Sequence, residues 1–249
     1  MFSRFRSQSG PLSDPGDRLA ETARCSYFSF FTLQCKVIGD MELNTAPQGK
    51  RNLWRALAWC LWMPLVAHAG IDHEWAFDQS GIWARKYQTG LEYGTIAVEI
   101  GSALWLGNDN ELGHTAWQTL DSSLISGLAA DVMKRAFGRA RPEQGNNPNA
   151  WFKGSCCESF PSGEVTLQAS FVTPIIVNYA KEYPWVWGLE VLPVYDAIAR
   201  MKSHAHWQTD VIAGWALGTG VGYWTTRWKT PLTVRVLPGG LSVGLSKRF

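Results

Sequence analysis

ARMKSHAHWQTD, residues 199–210, places Arg200, His206 and Asp210 at the spacing Arg-x5-His-x3-Asp. A histidine carries a ring nitrogen that can attack phosphorus. An aspartate one helical turn later can hold the other ring nitrogen and support the imidazolium. The stretch therefore predicts that His206 is a catalytic nucleophile, that Asp210 orients it, and that Arg200 lies beside them as a fixed cation.

Two segments upstream supply further groups that suit a phosphate. Lys134 and Arg141 lie in the pattern Lys-x6-Arg-Pro, and Ser162 and Gly163 lie in Ser-Phe-Pro-Ser-Gly-Glu. Three fixed cations can hold the non-bridging oxygens and stabilise charge in a transition state. A hydroxyl and a backbone N–H at the start of a helix add neutral donors. The residues predicted to bind phosphate are Lys134, Arg141, Ser162, Gly163 and Arg200.

The three motifs, in their order along the chain, resemble those of the superfamily of type 2 phosphatidic acid phosphatases, bacterial acid phosphatases and vanadium haloperoxidases. Its motifs are Lys-x6-Arg-Pro, Pro-Ser-Gly-His and Ser-Arg-x5-His-x3-Asp, and the resemblance covers residues 120–224. It implies an all-α helical bundle core, phosphate binding by the five residues named above, a phosphohistidine on His206 and orientation by Asp210. We expect no cofactor and no metal site.

Two positions depart from the family pattern. Ala199 replaces the serine before the arginine, and Glu164 replaces the histidine that protonates the leaving group. A glutamate beside three cations should have a lowered pKa, which makes it a poor acid at neutral pH. We still count Glu164 with His206 and Asp210 as the candidate catalytic residues.

Several interpretations of Glu164 are open. Burial could raise its pKa again, another group could act as the acid, or the leaving group could need little protonation. We favour the last, which predicts that a diphosphate is cleaved in preference to a monophosphate. His114 is one candidate for a substitute acid. Alternatively, Glu164 pairs with Arg141 or Arg200, and the site binds phosphate without fast turnover.

The motifs predict an exported phosphatase that hydrolyses a phosphate monoester or diphosphate, most simply of a lipid. A vanadate-dependent haloperoxidase is the alternative enzyme, although a carboxylate at Glu164 would repel the vanadate trianion. A phosphate-binding or lipid-headgroup-binding protein is the alternative without turnover. The cations are concentrated at the motifs rather than in a basic stripe, which excludes a nucleic-acid-binding function. The sequence does not predict an oligomeric state.

The N-terminal third predicts export. Basic residues at 50–55, the apolar run 56–66 and the small residues Ala67 and Ala69 are typical of a secretory signal peptide. The run is shorter than the roughly 20 residues of a membrane span, and an uncleaved anchor is the alternative. We expect an extension before a true start at Met41 (residues 1–40), a signal peptide (41–69), a helical phosphatase-like domain (70–230) and a terminal hairpin (231–249). The expected location is the periplasm or another exported compartment.

The remaining pattern predicts mainly helices, at residues 92–106, 115–135, 164–183, 186–200 and 209–228. After Pro231 the apolar residues alternate around Pro238-Gly239-Gly240, which predicts a short β-hairpin. Acidic residues interrupt the apolar helices, so we expect a core in water or in peripheral contact with a membrane. We expect the tryptophan-rich faces to lie in the core. The alternative to a core in water or in peripheral contact is an integral membrane enzyme with several spans.

Overall fold

A computed structural model describes residues 70–154 and 157–227, together with the backbone of residues 232–237 and 240–245. The predicted extension and the predicted signal peptide lie outside the described residues. All of the described residues belong to one compact unit, Gly49–Phe249. The helices are α1 (Arg85–Leu106), α2 (Glu111–Phe137), α3 (Gly163–Tyr179), α4 (Val191–Lys202) and α5 (Gln208–Thr225), and the strands are β1 (Leu232–Leu237) and β2 (Gly240–Leu245).

The all-α prediction is confirmed, and the two terminal strands form the predicted antiparallel hairpin, with Val234 opposite Val243. Two predicted boundaries differ by more than a few residues. Helix α1 begins seven residues earlier than predicted. Its first turns are polar because they face the site described below, and a pattern of apolar residues does not reveal them. The predicted helix 186–200 is a 3-10 segment, Pro184–Glu190, followed by α4.

Helix α2 is delimited by a polar cap at one end and a glycine at the other. The Asn110 side chain accepts a hydrogen bond from the backbone N–H of Gly113 at 2.7 Å, which satisfies a free donor of the first turn. Gly138 ends the helix with φ 44° and ψ 48° and donates to the carbonyl of Lys134. This left-handed conformation favours glycine. The cap places Lys134 in the last turn, where the chain turns towards Arg141.

Helices α3 and α5 pack closely because glycines on α5 face the backbone of α3. A β-carbon on Gly214 would lie 2.5 Å from the carbonyl oxygen of Ser162, and one on Gly218 would lie 2.4 Å from that of Thr166. No real side chain tolerates such contacts with backbone atoms. This packing fixes the start of α3 against the start of α5, where Ser162 and Asp210 lie.

The interior of the bundle is unusually polar between α1, α2 and α3. Glu99 is 1% exposed and accepts a hydrogen bond from Ser123 at 2.5 Å, and Ser123 also contacts Ser170 at 3.0 Å. Burial raises the pKa of Glu99 to about 7. A second pair, Thr95 and Gln168, is hydrogen-bonded in the same layer at 3.0 Å.

Apolar side chains lie on the outside of α1 and α2 as well as in the core. Trp105 is 90% exposed, and Leu124, Leu128 and Val132 form an exposed row at a spacing of one helical turn. The prediction that tryptophan-rich faces are core holds for residues such as Trp207, which is 1% exposed, but not for Trp105. None of the helices in the described part of the chain contains a stretch long and apolar enough to cross a membrane.

Candidate functional site

The predicted site residues lie where several helix ends meet. Lys134 is in the last turn of α2, Gly163 is the first residue of α3, and Arg200 is in the last turn of α4. Asp210 is in the first turn of α5, and His206 lies in the connection that precedes that helix. Residues far apart in sequence are therefore brought together at one end of the bundle.

Lys134 and Gly163 make a close contact across α2 and α3. A β-carbon on Gly163 would lie 3.0 Å from Nζ of Lys134, so the absence of a side chain at this position leaves room for the ammonium group. The N-terminus of α3 carries free backbone donors and a partial positive charge. The contact therefore joins two features that favour an anion.

Two buried donors of the site have no hydrogen-bond partner among the described residues. They are Oγ of Ser162, a residue that is 0% exposed, and Nε of Arg200. Buried polar groups are almost always hydrogen-bonded in proteins, so both donors are available to a ligand. Both groups donate, which matches the acceptor oxygens of a phosphate. The backbone N–H of Ser162 donates to the carbonyl of Asp210 at 3.0 Å, which fixes the residue against α5.

The five residues between Arg200 and His206 form a tight reversal. The carbonyl of Arg200 accepts hydrogen bonds from the backbone N–H groups of Ala205 and His206, at 3.1 and 3.3 Å. His204 adopts the left-handed conformation, with φ 55°, inside this turn. The turn returns His206 to the end of α4, so the spacing in the sequence places its ring beside the Arg200 side chain.

His206 is 4% exposed, and its Nδ1 lies 2.7 Å from the carbonyl oxygen of Ser159. A carbonyl only accepts, so Nδ1 carries the proton and Nε2 keeps its lone pair. Burial lowers the pKa of His206 to about 4, against the raising effect of Asp210. The ring is therefore neutral at ordinary pH, which is the form that can attack an electrophile.

Asp210 does not make the direct hydrogen bond to His206 that the sequence predicts. Its Oδ2 lies 3.9 Å from Nδ1 of His206, and that nitrogen is already bonded to the Ser159 carbonyl. Asp210 instead accepts from the Ser159 hydroxyl at 2.6 Å, from the backbone N–H of Trp207 at 2.8 Å and from Arg139 at 2.5 Å. Asp210 thus holds the segments on both sides of His206, through Ser159 and Trp207.

Arg139 is a component of the site that the sequence analysis missed. Its side chain is 0% exposed and binds Asp210 and Asp72, the second at 2.7 Å. Asp72 also accepts from the backbone N–H and the hydroxyl of Thr209, at 2.8 and 2.7 Å. The two partners lie 67 and 71 residues away from Arg139, so no local pattern in the sequence could have paired them.

Glu164 forms an ion pair with Arg85, a partner that the sequence analysis did not consider. Both carboxylate oxygens lie within 2.8 Å of Nη1 of Arg85, and Oε1 is 3.5 Å from Nη1 of Arg200. Burial acts to raise the pKa of Glu164, but the Arg85 hydrogen bonds and the charge of Arg200 outweigh it, so the pKa is lowered. The carboxylate is therefore ionised, as the sequence indicates.

Arg141 lies at the edge of the site, with a side chain that is 26% exposed. Burial lowers the pKa of both Arg200 and His206, and the charge of Arg141 lowers each further. Its guanidinium is therefore within electrostatic range of both groups. Arg141 and Arg200 therefore both lie close enough to act on the histidine ring.

Two more carboxyl groups lie close to Glu164. Asp196, one turn before Arg200 on α4, is 0% exposed, and neither of its oxygens has a hydrogen-bond partner in the described chain. Burial and the charge of Glu164 raise the pKa of Asp196 to about 8. Glu92, on α1, is 31% exposed and lies 3.8 Å from Arg85. Sequence reasoning did not single out either residue.

His114 lies at the opposite end of α2 from the site. It is 20 residues before Lys134 on the same helix, or about 30 Å along the axis at 1.5 Å per residue. The suggestion that it acts as a substitute acid is therefore wrong. The ring of His204 contacts the carbonyl of Trp75 at 2.6 Å.

Comparison with known sequences finds one matching family model and several phosphatases of similar sequence. The sequence model of the PAP2 superfamily matches residues 115–233. Lipid A 1-phosphatase from Rhizobium johnstonii is 35% identical over 38% of this chain and 40% of that protein. Lipid A 1-phosphatase from Porphyromonas gingivalis is 31% identical over 42% of this chain and 22% of that protein. Undecaprenyl-diphosphatase from Sulfolobus acidocaldarius is 27% identical over 41% of this chain and 49% of that protein. The chain thus spans less than half the length of these relatives.

Two solved structures also resemble the chain. Crystal structures of Aquifex aeolicus LpxE and of a transmembrane PAP2 type phosphatidylglycerolphosphate phosphatase from Bacillus subtilis match with TM-scores of 0.45 and 0.36, at 16% and 18% identity. The first match covers 57% of this chain and 85% of the other, and the second covers 82% and 94%.

Proposed function

Because the chain belongs to the PAP2 superfamily through residues 115–233, we propose that it is a phosphatase that hydrolyses a phosphorylated lipid through a covalent phosphohistidine on His206. The observation that carries the proposal is the state of the His206 ring. Its Nδ1 donates to the Ser159 carbonyl and its pKa is lowered to about 4, so Nε2 keeps a free lone pair in a ring that lies within electrostatic range of Arg200 and Arg141.

The binding step uses the unpaired donors and the surrounding cations. A phosphoryl group opposite Nε2 would accept hydrogen bonds from Oγ of Ser162 and Nε of Arg200, two donors of the site that have no partner among the described residues. Lys134, Arg141 and the N–H groups at the start of α3 would balance its charge. Fixed donors and cations of this kind stabilise charge in a transition state without reorganisation.

In the first chemical step, Nε2 of His206 attacks phosphorus and the bond to the leaving oxygen breaks. The resulting N-phosphorylated ring is cationic, and the Ser159 carbonyl at Nδ1 and the nearby Asp210 carboxylate stabilise it. In the second step, water attacks phosphorus, the P–N bond breaks, and inorganic phosphate leaves. His206 returns to its neutral form, ready for another substrate.

The proposed substrate class comes from the names of the relatives and from the surface of the molecule. Lipid A 1-phosphatases and an undecaprenyl-diphosphatase act on phosphate groups of lipids. The exposed apolar side chains of α1 and α2, such as Trp105 and Leu128, offer an apolar surface on the same domain. We propose a lipid monophosphate or diphosphate as the substrate, and the signal-like residues 41–69 support an exported location.

The test measures phosphate release by the full-length protein from dodecyl phosphate and from farnesyl diphosphate. His206→Ala should abolish release from both substrates, whereas the exposed His73→Ala should leave release unchanged. Binding of inorganic phosphate by the wild type without release from either substrate would instead support the phosphate-binding protein. Release that persists in His206→Ala would contradict the proposed mechanism.

A further inference from the structure

The guanidinium of Arg200 is held on one side and has an unpaired donor on the other. Its Nη1 donates to Oε1 of Gln88 at 3.2 Å and lies 3.5 Å from Oε1 of Glu164. Its Nε is buried without a hydrogen-bond partner among the described residues. A guanidinium is planar, and Nε and Nη2 form an edge that points away from Nη1. Such an edge matches two oxygens of one phosphoryl group.

Gln88 has the contacts of a fixed anchor for this arginine. It lies in the first turns of α1 and is 0% exposed. Its Oε1 accepts from Arg200 at 3.2 Å and from Arg85 at 3.3 Å, and its Nε2 donates to the carbonyl of Trp83 at 2.8 Å. Arginine side chains only donate and a backbone carbonyl only accepts, so these partners permit one orientation of the amide. The oxygen of Gln88 is therefore held towards Arg200.

The start of α1 is itself attached to α4, the helix that carries Arg200. The rings of Trp83 and Tyr195 stack with their centroids 5.7 Å apart and an angle of 17° between their planes. The Tyr195 hydroxyl also donates to the carbonyl of Ile82 at 2.5 Å. Tyr195 lies on α4 in the same helix as Arg200. The segment that orients the Gln88 amide is therefore bound to the helix whose arginine the amide holds.

The Gln88 amide anchors Arg200 without neutralising its charge. Both oxygens of Glu164 lie within 2.8 Å of Nη1 of Arg85, whereas the contact with Arg200 is 3.5 Å. Charge-assisted hydrogen bonds between these groups are about 2.7–2.9 Å long, so Arg85 is the main partner of the carboxylate. The closest acceptor of Arg200 is thus an uncharged amide. This arrangement leaves the positive charge of Arg200 to act on an anion at its Nε edge.

We propose that Gln88 is a positioning residue of the reaction, which holds Nη1 of Arg200 so that the Nε edge faces the phosphoryl group attacked by His206. This inference rests on the proposed phosphatase function. An arginine side chain has many rotamers, and donors that are fixed before the substrate binds need no reorganisation in the transition state. Gln88 is fully buried, so it acts through Arg200 and not on the substrate itself.

The first test is a double-mutant cycle between Gln88 and Arg200 in the full-length protein. Gln88→Met keeps the approximate size of the side chain and removes the acceptor, and Arg200→Lys keeps the charge and removes the paired donors. Gln88→Met alone should lower kcat/KM for dodecyl phosphate by about 10–100-fold, the scale expected when a catalytic group moves by about 1 Å. In the Arg200→Lys background it should lower kcat/KM by less than about threefold, because no guanidinium remains to be oriented.

Gln118→Met is the matched control, because it removes the amide of another buried glutamine. Gln118 lies on α2, 16 residues before Lys134, or about 24 Å along the axis at 1.5 Å per residue. This variant should leave kcat/KM unchanged in both backgrounds. Equal losses from Gln88→Met in the two backgrounds would overturn the proposal, since a general loss of structure does not depend on an arginine at position 200. An unchanged kcat/KM in Gln88→Met would also overturn it.

Nuclear magnetic resonance of the arginine side chains tests the Nε edge without turnover. In protein labelled with ¹⁵N, the Nε–H signal of Arg200 is identified by its absence from Arg200→Lys. Inorganic phosphate should move the proton of this signal downfield in the wild type, because a charge-assisted hydrogen bond forms. In Gln88→Met the shift should require about tenfold more phosphate, as expected for one weakened hydrogen bond to a charged group. Phosphate that binds the wild type without moving this signal would overturn the proposal, even if Gln88→Met does not fold.

The two measurements distinguish a failure of this inference from a failure of the proposed function. A wild type that cleaves no dodecyl phosphate, but whose Arg200 signal responds to phosphate in a way that depends on Gln88, would overturn the phosphatase function. The same result would support Gln88 as the residue that positions Arg200 in a phosphate-binding site. Turnover by the wild type with additive losses in the cycle would overturn the role of Gln88 and leave the phosphatase function in place.

Discussion

The Glu164 carboxylate and the Arg85 guanidinium form a two-oxygen ion pair at 2.7 and 2.8 Å, across 79 residues of sequence. The pair adds Arg85 to the three cations predicted from the sequence, Lys134, Arg141 and Arg200, and places a negative charge beside the phosphate position. The negative charge opposes the binding of an anion, so the net effect of Glu164 on affinity can be measured directly.

Glu164→Gln should tighten the binding of inorganic phosphate. The substitution keeps the shape of the side chain, removes one like charge from beside the bound anion, and leaves the positive charge of Arg85. We expect about tenfold tighter inhibition by phosphate, or about 1.4 kcal/mol. The measurement is the inhibition constant with 4-nitrophenyl phosphate as substrate, with the more remote Glu99→Gln as the control. Weaker inhibition would mean that Glu164 aids binding by holding Arg85.

Arg139→Met should destabilise the fold by about 3–5 kcal/mol, the range measured when one partner of a buried ion pair is removed. The change leaves Asp72 and Asp210 buried, each without its cation. Urea denaturation would measure the free energy of unfolding, and Arg135→Met, at an exposed position on α2, is the matched control. If both variants unfold at the same urea concentration, the network does not stabilise the fold.

Gly218→Ala should destabilise the protein by about 1–3 kcal/mol, the usual cost of forcing an extra group into a close contact. Its methyl group would meet the Thr166 carbonyl at 2.4 Å. Gly127→Ala, on the exposed side of α2 with no atom within 4 Å, should stabilise the protein by about 0.5–1 kcal/mol. The two melting temperatures should therefore move in opposite directions. A shift in the same direction would mean that α3 and α5 are not packed this closely.

Glu99→Gln should change how stability depends on pH. Burial raises the pKa of Glu99 to about 7, above its ordinary value of 4.5, against the lowering effect of the Ser123 hydrogen bond. The folded state therefore binds more protons than the unfolded state between these two values, and stability falls as pH rises from about 4.5 to 7. Glutamine has no proton to lose, so the variant should gain stability relative to the wild type as pH rises through that window. A constant difference from pH 4 to pH 8 would contradict this sign.

The parts of the site that depend on local spacing were predictable from the sequence. Arg200 and His206 are joined by one turn, and Ser162 and Gly163 begin one helix, so their residue types and spacing already carry the geometry. The all-α bundle and the hairpin followed from the family resemblance and from the alternating residues after Pro231. The replacement at Glu164 also correctly indicated an ionised carboxylate.

The remaining features depend on contacts between distant segments. Arg85 meets Glu164, and Arg139 meets Asp72, only after the helices pack, and neither pair has a periodic signal in the sequence. The sequence analysis did not single out the glycines of α5, and only the structure shows that Gly214 and Gly218 face α3. The predicted direct hydrogen bond between Asp210 and His206 is absent because Nδ1 of His206 donates to the carbonyl of Ser159. Residue types alone do not show which backbone carbonyl will accept such a bond.

The most direct test of the account is to trap the covalent intermediate. Full-length protein would be mixed with farnesyl diphosphate labelled with ³²P in the terminal phosphate, quenched within milliseconds under alkaline conditions, and digested for mass spectrometry. The account predicts an acid-labile phosphate on the peptide that contains His206, and none in His206→Ala. Steady turnover of the labelled substrate with no label on His206 at any quench time would contradict it.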